Sequence, residues 1–485
     1  MSKKNKFNWL VSIAAIALIG TGTTGCSILE SPFKADAQDG TTTSTASDLP
    51  RFSSGEIRLF SARNNPDIDN PDLISGINAF AQGEYEAAAE LFAAAVENKP
   101  QDPEAQIYLN NAQARTSNTD TYILGVAVPV GKRMQASREI LRGVANAQTE
   151  FNQAGGADGR LLEVVIVNDD NDPEVAVEVA QGVIEQYPNL LGIVGHNDSD
   201  ISQAVTDIYC PANVAMVSPT STSTELSGDC FFRTVPSDQE SADRLANYIA
   251  QSNVTDPVVF YSSNSSYSRS LKEAFEQETT LEEVAASDLS QSAFNASPEV
   301  RKYVQRGAKA ALLFPSTTGT ARAIAVARVN ASLDPNQQMQ IIGNDALYSD
   351  ETLKLGKQAV EGMVLTAPWY PNTSYAQQAA ERWNTEVSWR TAYSYDAAKA
   401  LLAAIETADS REGVLQALRE VSLPASETAG DELTFDAQGN RVGASVQLVK
   451  IVPATPTPEP SESGTPEESP SSATPTTGFT FELVK

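Results

Sequence analysis

The chain has 485 residues, 41% of them hydrophobic, which is typical of two or three globular domains and excludes both a polytopic membrane protein and a wholly disordered chain. It carries 62 Asp and Glu against 34 Lys and Arg, a net charge of −28, so its surface repels nucleic-acid phosphates and anionic headgroups. One histidine and three cysteines leave little for a histidine-based catalytic dyad or a zinc site. We therefore expect no nucleic-acid partner, no metal and no cofactor.

The first 26 residues have the pattern of an export signal. Lysines at positions 3, 4 and 6 precede 12 mostly apolar residues, Trp9 to Gly20, too few for a membrane-spanning helix, which needs about 20. Small residues then lead to Cys26, as in a bacterial lipobox, although Thr23 stands where leucine is usual. Residues 1–26 are thus predicted to be a lipoprotein signal peptide, with the exported protein anchored to a bacterial membrane, periplasmic or at the cell surface, through lipidated Cys26. An ordinary signal peptide is the alternative.

Two segments have the composition of flexible chain. Residues 27–71 are rich in Thr, Ser, Asp and Asn without sustained periodicity, which predicts a flexible linker. Residues 453–485 contain 7 Pro and 12 Ser or Thr, too little apolar surface to offset the entropy of ordering, so they are predicted to be a disordered tail. Within that tail, residues 479–484 alternate like a short strand, which leaves a docking tip open.

Residues 72–118 are predicted to form a small all-α module. The sequence here resembles a tetratricopeptide repeat. The residues that stand at the spacing of that repeat are Gly76, Gly83, Tyr85, Ala88, Phe92, Ala95 and Pro100. Small residues let two antiparallel helices approach, Tyr85 and Phe92 fill the gap, and Pro100 ends the second helix. Residues 104–115 would add a covering helix. Because one repeat is marginal alone, we expect it to pack on the neighbouring domain or on a protein partner; a plain helical hairpin is the alternative.

From residue 122 onward, short β-rich runs alternate with amphipathic helical stretches, the pattern of parallel α/β sheets. The predicted strands are 123–128, 161–167, 190–194, 214–217, 258–261, 310–314, 340–342 and 362–366. About 330 residues exceed what one core usually holds, so two lobes are expected. In such sheets ligands bind at the carboxyl ends of the strands, on loops and helix N-termini.

Two of the loops that follow these strands contain the donors of an anion cradle. Residues 195–200 begin with glycine and contain Ser199, and residues 218–223 are a run of short hydroxyl side chains. Backbone N–H and O–H groups at helix N-termini suit a carboxylate. Simple helix capping by Ser199 or Ser223 is the alternative.

Cys210 and Cys230 flank the predicted strand 214–217, and the 19 residues between them could bring the two thiols together. Because an exported protein meets an oxidising compartment, we expect a disulfide. Two buried free thiols are the alternative, since sequence alone does not give the distance between the Cα atoms.

Six motifs stand in order along the main domain. They are Val-Asn-Asp169-Asp170-Asn171-Asp172-Pro173, Val-Gly195-His196 with Ser199, Ser-Pro219-Thr220-Ser-Thr222, Phe-Arg233-Thr-Val-Pro236, Tyr393-Ser-Tyr395-Asp396 and Phe435-Asp436 with Gly439. Together they resemble the type I periplasmic solute-binding proteins of the branched-chain amino acid (Leu/Ile/Val) receptor family. The resemblance covers residues 121–452. It implies two Rossmann-like α/β lobes with parallel sheets, joined by three crossovers, that close on a small-molecule ligand for the membrane permease subunits of an ABC importer.

The resemblance also implies lobe boundaries and ligand residues. Lobe 1 would span about 121–236 and 367–428, and lobe 2 about 237–366 and 429–452. Ser199 and Thr222 fall on positions whose hydroxyls hold the ligand α-carboxylate, with the backbone of Thr220 beside them. Asp345 falls where the family has an acidic residue for the α-ammonium group.

Three further positions are implied less directly. Tyr267 and Trp369 fall near positions that wall the cleft, and Asp238, at the entry to lobe 2, falls at a hinge or in the ligand shell. The chain departs from the family in its first loop, where Lys132 and Arg133 replace the usual residues, and in lobe 2, where Ser316 replaces an aromatic residue. The two basic residues would favour an acidic or larger polar ligand; a solvated basic loop is the alternative.

Three functions compete on this evidence. The first is a lipid-anchored receptor for an amino acid or an amide-like zwitterion. The second is a regulatory lipoprotein, because a helical repeat before a binding-protein-like domain also resembles outer-membrane activators of peptidoglycan synthases. An enzyme is disfavoured, since His196 has no nucleophile in its own loop. The presence of Ser199, Thr222 and Asp345 together favours a working cleft.

Overall fold

A computed structural model describes residues 51–60, 70–117, 119–252, 254–281, 283–454 and 478–484. The predicted signal peptide with its lipidation residue Cys26, the linker up to residue 50 and most of the predicted tail lie outside the described residues. Within the ranges given, no helix is both long enough and apolar enough to cross a membrane.

The elements are named in chain order. The α-helices are α1 (Pro71–Ala81), α2 (Tyr85–Asn98), α3 (Pro103–Thr116), α4 (Met134–Gln153), α5 (Pro173–Gln186), α6 (Ser199–Tyr209), α7 (Asp238–Gln251), α8 (Ser266–Glu278), α9 (Ala296–Gln305), α10 (Thr320–Ala331), α11 (Asp350–Gly356), α12 (Ser374–Trp383), α13 (Trp389–Ile405) and α14 (Arg411–Leu418). The strands are β1 (Phe52–Ser53), β2 (Tyr122–Val128), β3 (Leu162–Asn168), β4 (Leu190–Val194), β5 (Ala215–Ser218), β6 (Phe231–Arg233), β7 (Pro257–Tyr261), β8 (Ala285–Asp288), β9 (Ala310–Phe314), β10 (Gln340–Gly343), β11 (Val364–Ala367), β12 (Ser422–Leu423), β13 (Leu433–Thr434), β14 (Gln447–Pro453) and β15 (Phe479–Leu483).

Lobe 1 is built on a sheet with the strand order β1-β3-β2-β4-β5-β6. Strands β2 to β6 run parallel, and β1 pairs antiparallel with β3. The central strands are mostly apolar because helices cover both faces of the sheet, so neither face meets water. The small sheet of β12 and β13 also belongs to lobe 1, since Leu423 and Leu433 are buried in its core. Lobe 1 therefore extends past the predicted boundary at residue 428.

Lobe 2 is built on a second sheet with the order β15-β14-β11-β10-β9-β7-β8. Strands β7 to β11 are parallel, whereas β14 and β15 are antiparallel. The prediction of two α/β lobes is confirmed. The sheets are mixed rather than purely parallel, because chain segments from outside the βα repeats have added strands at their edges.

The chain crosses between the lobes after β6, after β11 and after β13. The first and third crossings lie side by side: the backbone N–H of Arg233 donates to Gly439 (2.8 Å), and that of Arg441 donates to Arg233 (3.1 Å). Arg441 also forms a buried ion pair with Asp396 of α13 at 2.6 Å. Several motif residues quoted above thus hold the hinge together.

Helices α1 to α3 pack on one another and on lobe 1. Phe92 lies between Phe80 and Tyr108, and a Cβ on Gly76 would come within 2.5 Å of the Phe92 ring, so only glycine allows this approach of α1 and α2. Helix α3 contacts β3 through Asn111, whose side chain accepts from the N–H of Val164 (2.9 Å) and donates to its carbonyl (2.7 Å). The side chain of Asn111 thereby pairs with the backbone of β3.

Residues 51–60 correct the predicted linker, because they are folded against lobe 1. Phe52 and Ser53 form β1, and Leu59 and Phe60 are buried with the core of α1 to α3. The Glu104 carboxylate holds this segment by accepting from the N–H of Leu59 at 2.7 Å. The Thr- and Ser-rich composition of the surrounding chain concealed these few apolar residues.

The last described residues correct the predicted disordered tail. Strand β15 pairs with β14 along five residues, from Phe479 opposite Pro453 to Leu483 opposite Val449. The ring of Phe481 packs edge-on against Tyr348 at 4.8 Å, and Phe479 is buried. The Pro-rich composition of residues 453–485 does not describe the short alternating segment at their end. That segment pairs with the open edge of the lobe 2 sheet at β14.

Cys210 and Cys230 are bonded, with their sulfurs 2.05 Å and their Cα atoms 5.0 Å apart. The bond joins the end of α6 to the residue before β6. It thus closes the segment that contains β5 and the hydroxyl-rich loop after it.

Candidate functional site

A small cavity lies between the two lobes, where the carboxyl ends of their parallel strands face each other. Its lining residues come from lobe 1 (Asn197, Asp198, Ser199, Thr220, Trp389, Arg390) and from lobe 2 (Tyr267, Thr317, Asp345, Ala346). The cavity volume is about 10 Å³, which is close to the minimum for one water molecule. The lobes are therefore closed on each other.

The lobe 1 wall is formed by the loop after β4 and the loop after β5. The carbonyl of His196 accepts from the hydroxyls of Ser218 (2.9 Å) and Ser221 (3.2 Å), and Thr220 donates to the carbonyl of Asn197 (2.9 Å). These bonds tie the two loops together. Much of the hydroxyl run thus supports the wall, while Ser199, at the N-terminus of α6, lines the cavity.

His196 is fully buried and belongs to this support. Its Nδ1 lies 2.7 Å from Oδ2 of Asp169 and its Nε2 lies 3.3 Å from the hydroxyl of Tyr209. Both ring nitrogens are therefore occupied by protein groups. The imidazole fixes the loop that carries Ser199 and faces no nucleophile.

The lobe 2 wall is centred on Asp345, in a short 3₁₀ turn after β10, and on Tyr267 in the first turn of α8. The Tyr267 hydroxyl donates to Oδ1 of Asp345 at 2.7 Å and accepts from the N–H of Ala346 at 3.3 Å. Burial raises the pKa of Asp345, and the hydrogen bond from Tyr267 and the charge of Arg390 act in the opposite direction. Asp345 thus offers a buried carboxylate of fixed orientation.

Several buried polar atoms near this cavity have no hydrogen-bond partner among the described residues. They are the hydroxyls of Ser265 and Ser266 and both side-chain atoms of Asn344. Buried polar groups are nearly always paired in native proteins, so a concentration of unpaired ones marks a place suited to a polar ligand. Burial raises the pKa of Asp238 to about 7; the hydrogen bond from Thr222 opposes this rise, and the nearby charge of Asp345 adds to it.

Contacts between the lobes surround the cavity. Thr317 of lobe 2 donates its hydroxyl to Oδ2 of Asp198 at 2.5 Å and accepts a hydrogen bond from the guanidinium of Arg133 through its carbonyl. Ser266 at the start of α8 donates its N–H to Asp200 at 2.9 Å. Asp198, just before α6, and Asp200, in its first turn, thereby link the lobe 1 wall to lobe 2.

The structure brings four of the predicted ligand residues to the cavity: Ser199, Thr220, Tyr267 and Asp345. Thr222 and Asp238 are buried close by but do not line it. Lys132 lies on the exposed surface and pairs with Asp172 at 3.3 Å, so of the two basic loop residues only Arg133 reaches the cleft.

The placement of Trp369 at the cleft is wrong. Its indole N–H donates to the carbonyl of Ala429 at 3.1 Å, and its ring is buried in the lobe 1 core near the second crossing. The tryptophan at the cavity is Trp389, followed by Arg390. Sequence reasoning missed both because they begin a helix that follows another helix, not a strand. Ser388, whose hydroxyl accepts from the N–H of Arg390 at 3.2 Å, is the helix-start signal that marks this site.

Glu139 of α4 connects the first turn of α13, which contains Trp389 and Arg390, to the residues between α2 and α3. Its Oε2 accepts from the N–H of Ser388 (3.2 Å) and the hydroxyl of Thr391 (2.6 Å), and its Oε1 pairs with Arg142 (2.8 Å). Arg142 in turn donates to the carbonyl of Gln101, between α2 and α3. The first turn of α13 is thus held by a buried ion pair on α4.

No group of three or more His, Cys, Asp or Glu side chains in the described part of the chain could hold a metal ion. Two α/β lobes, three crossings and a polar cleft between the lobes define a two-lobed solute-binding protein. The family model described as "Periplasmic binding protein" matches residues 121–456, and the chain belongs to that family. The family and the fold are those of substrate-binding proteins, not enzymes.

The chain is similar to proteins named for branched-chain amino acids. The Leu/Ile/Val-binding protein homolog 2 of Brucella abortus (strain 2308) is 26% identical over 347 residues, which cover 68% of this chain and 90% of that protein. Two crystal structures share the fold. The leucine-binding protein LivK of Thermotoga maritima has a TM-score of 0.61 at 21% identity, covering 68% of this chain and 96% of the other. A substrate-binding protein of Desulfitobacterium hafniense, solved with leucine, has a TM-score of 0.57 at 24% identity, covering 68% and 97%.

Proposed function

We propose that this protein binds an amino acid between its two lobes and delivers it to the membrane subunits of an ABC importer. One observation carries the proposal. Ser199 and Asp345 line the same buried cavity from opposite lobes, so hydroxyl and N–H donors at one wall face a carboxylate at the other. An α-carboxylate and an α-ammonium group require this pair of surroundings. The similarity to Leu/Ile/Val-binding proteins supports the same class of ligand.

In this proposal the α-carboxylate binds at the N-terminus of α6. The Ser199 hydroxyl, the loop of Thr220 and Thr222, and the N–H groups in the first turn of α6 other than that of Asp200, which donates to Asp198, supply donors. The helix dipole favours negative charge there. The hydroxyl of Thr222, which acts on the Asp238 carboxylate in this closed form, would turn to the ligand when the lobes open and close on it. Charge-assisted hydrogen bonds of this kind contribute about 1.5 to 3 kcal/mol each.

Asp345 would receive the α-ammonium group. Tyr267 occupies Oδ1, which sets the direction in which the carboxylate accepts a further hydrogen bond. The rings of Tyr267 and Trp389 form the apolar part of the wall. Because the carboxylate donors and Asp345 belong to different lobes, only the closed form completes both sets of contacts, and the ligand stabilises closure.

We further propose that the exported chain is tethered through Cys26, with α1 to α3 as a tetratricopeptide-like module. The Cys210–Cys230 bond is consistent with an oxidising compartment. A family of periplasmic binding proteins also implies export. A labelled fatty acid incorporated into the wild-type chain, and absent from a Cys26→Ser chain, would support the tether; equal labelling would refute it.

The binding test begins with the ligand that the protein carries. Protein purified from cells is denatured, and the released small molecules are identified by mass spectrometry. A co-purified amino acid that rebinds to the refolded protein in calorimetry is expected. If no member of a panel of the twenty amino acids and their amides binds, the receptor proposal fails.

A regulatory lipoprotein remains the second candidate, and one contact favours it. Arg142 joins the turn after α2 to Glu139, which holds the helix end at the cleft, so a protein bound to α1 to α3 would act close to the cavity. Failure to bind any small solute, together with capture of an envelope protein through α1 to α3, would favour this candidate.

A further inference from the structure

Arg390 places a guanidinium at the cavity, where the charges of Asp345 and Glu139 attract it. Its side chain lines the cavity, its guanidinium carbon lies 4.2 Å from the centre of the Trp389 ring, and its Nε is buried without a hydrogen-bond partner in the described ranges. No carboxylate of the described residues forms an ion pair with it. Asp345 attracts it from a greater distance, but Tyr267 already holds one of the oxygens of that carboxylate.

Arg133 brings a second guanidinium to the same cleft. It reaches from the loop after β2 to the carbonyl of Thr317 in the opposite lobe, and its Nε is also buried without a partner among the described residues. Asp198, the acid whose charge acts most strongly on Arg133, accepts from the Thr317 hydroxyl and from the N–H of Asp200. Burial and the positive charge of Arg133 lower the pKa of Arg390 to about 10, so both arginines remain charged at neutral pH.

The positive charges of Arg133 and Arg390 oppose each other, and charge withdrawn from water is stable only when it is paired. The α-carboxylate of an amino acid does not meet this need in the proposed pose, because the donors at α6 hold it. An aliphatic side chain would press against Arg390 and leave it unpaired. A second carboxylate would fit the forked donors of a guanidinium and neutralise the pair.

We propose that the ligand is a dicarboxylic amino acid, whose side-chain carboxylate is bound by Arg390 with Arg133. This inference rests on the proposed function, since it assumes that Ser199 and Asp345 bind the α-carboxylate and α-ammonium groups. It makes the ligand different from those named for the similar Leu/Ile/Val-binding proteins. In this inference the chain shares the fold of those proteins and binds the α-carboxylate and α-ammonium groups of its ligand as proposed above. The end of the cavity next to α13 then selects a ligand with a negatively charged side chain.

The test measures affinity by calorimetry on the full chain with L-glutamate, L-aspartate, L-glutamine, L-asparagine, L-leucine and L-isoleucine. We expect glutamate or aspartate to bind at least tenfold more tightly than its amide and than leucine. Tighter binding of leucine or isoleucine would overturn the inference and leave the proposed function standing. Binding of none of the amino acids would instead contradict the proposed function.

Variants then assign the contact. Arg390→Gln is expected to weaken the acidic amino acid about 100-fold and its amide less than threefold. The matched control is Arg382→Gln, which removes an exposed arginine of α12 and should change neither affinity. An equal loss for acid and amide would place the α-carboxylate at Arg390 and overturn the inference. Thermal unfolding of each variant separates loss of charge from unfolding of the helix end, and Arg390→Lys, which keeps the charge, should retain most of the preference for the acid.

Discussion

The hydroxyl of Tyr267 donates a 2.7 Å hydrogen bond to Oδ1 of Asp345, and both side chains are almost entirely buried. The N–H of Ala346 donates to the same hydroxyl oxygen, so the tyrosine is fixed in turn. The pair joins helix α8 to the turn after β10. It therefore defines the lobe 2 wall of the cavity independently of any contact with lobe 1.

Tyr267→Phe should weaken amino-acid binding about tenfold, because one hydrogen bond to a buried charge is lost and the Asp345 carboxylate is freed to rotate. The hydrogen bond also lowers the pKa of Asp345, so its loss raises that pKa. Calorimetry at pH 6 and pH 8 should show a larger loss at pH 6, where more of the variant's Asp345 is protonated. An equal loss at the two pH values would mean that the tyrosine contributes only its ring.

Asp238→Asn should stabilise the ligand-free protein by about 2 kcal/mol at pH 8. The folded pKa of about 7 lies above the ordinary value of 3.8, so the folded state holds the proton more tightly than the unfolded state. Stability contributed by this group is therefore complete below about pH 4 and is lost as the pH rises towards 7. Urea unfolding at several pH values should show the advantage of the variant shrinking as the pH falls from 8 to 4. A constant difference would contradict the assignment.

Asn111→Ala should destabilise the protein by about 3 kcal/mol, because buried groups of β3 and Gln148 lose their partners. The matched control is Asn98→Ala on α2, which removes only an exposed hydrogen bond to Asp72 and should cost less than about 0.5 kcal/mol. Denaturant unfolding measures both. A small effect of Asn111→Ala would mean that α3 is dispensable to lobe 1.

Phe481→Ala should cost about 1 to 2 kcal/mol, since the ring packs on Tyr348 and the core of lobe 2. Glu482→Ala, on the exposed side of the same strand, should be nearly neutral. Thermal unfolding of the two variants compares them directly. Equal midpoints would indicate that β15 does not pair with β14 in solution.

The two lobes could be predicted from the sequence because β2 to β5 and β9 are apolar runs separated by amphipathic helices. The pairing of the edge strands could not be predicted, although the alternation of residues 479–484 indicated a short strand. Phe52 and Ser53 in β1 are too few for any periodicity, and β15 follows a Pro-rich segment whose composition dominates a local reading. Both depend on long-range pairing with an open sheet edge, which no local pattern encodes.

The residues of the candidate site could likewise be predicted only in part. Ser199 and Asp345 follow strands, and residues after parallel strands meet at one edge of the sheet, so their side chains were found. Arg390 follows a helix, and its role depends on the distant Glu139, which holds the turn. The family resemblance implies Trp369 rather than Trp389 at the cleft, whereas Trp369 lies in the lobe 1 core near the second crossing.

The central claim is that Ser199 and Asp345 bind the two ends of one zwitterion, and Asp345→Asn tests it most directly. The substitution keeps the shape of the side chain and removes its charge. Calorimetry with the amino acid that binds the wild-type protein should show a loss of about 2 to 4 kcal/mol for Asp345→Asn, and about 1 to 2 kcal/mol for Ser199→Ala, since the N–H donors of α6 remain. The control Asp350→Asn, on the exposed start of α11, should bind normally. Undiminished binding by Asp345→Asn would contradict the claim and indicate a ligand without an amine.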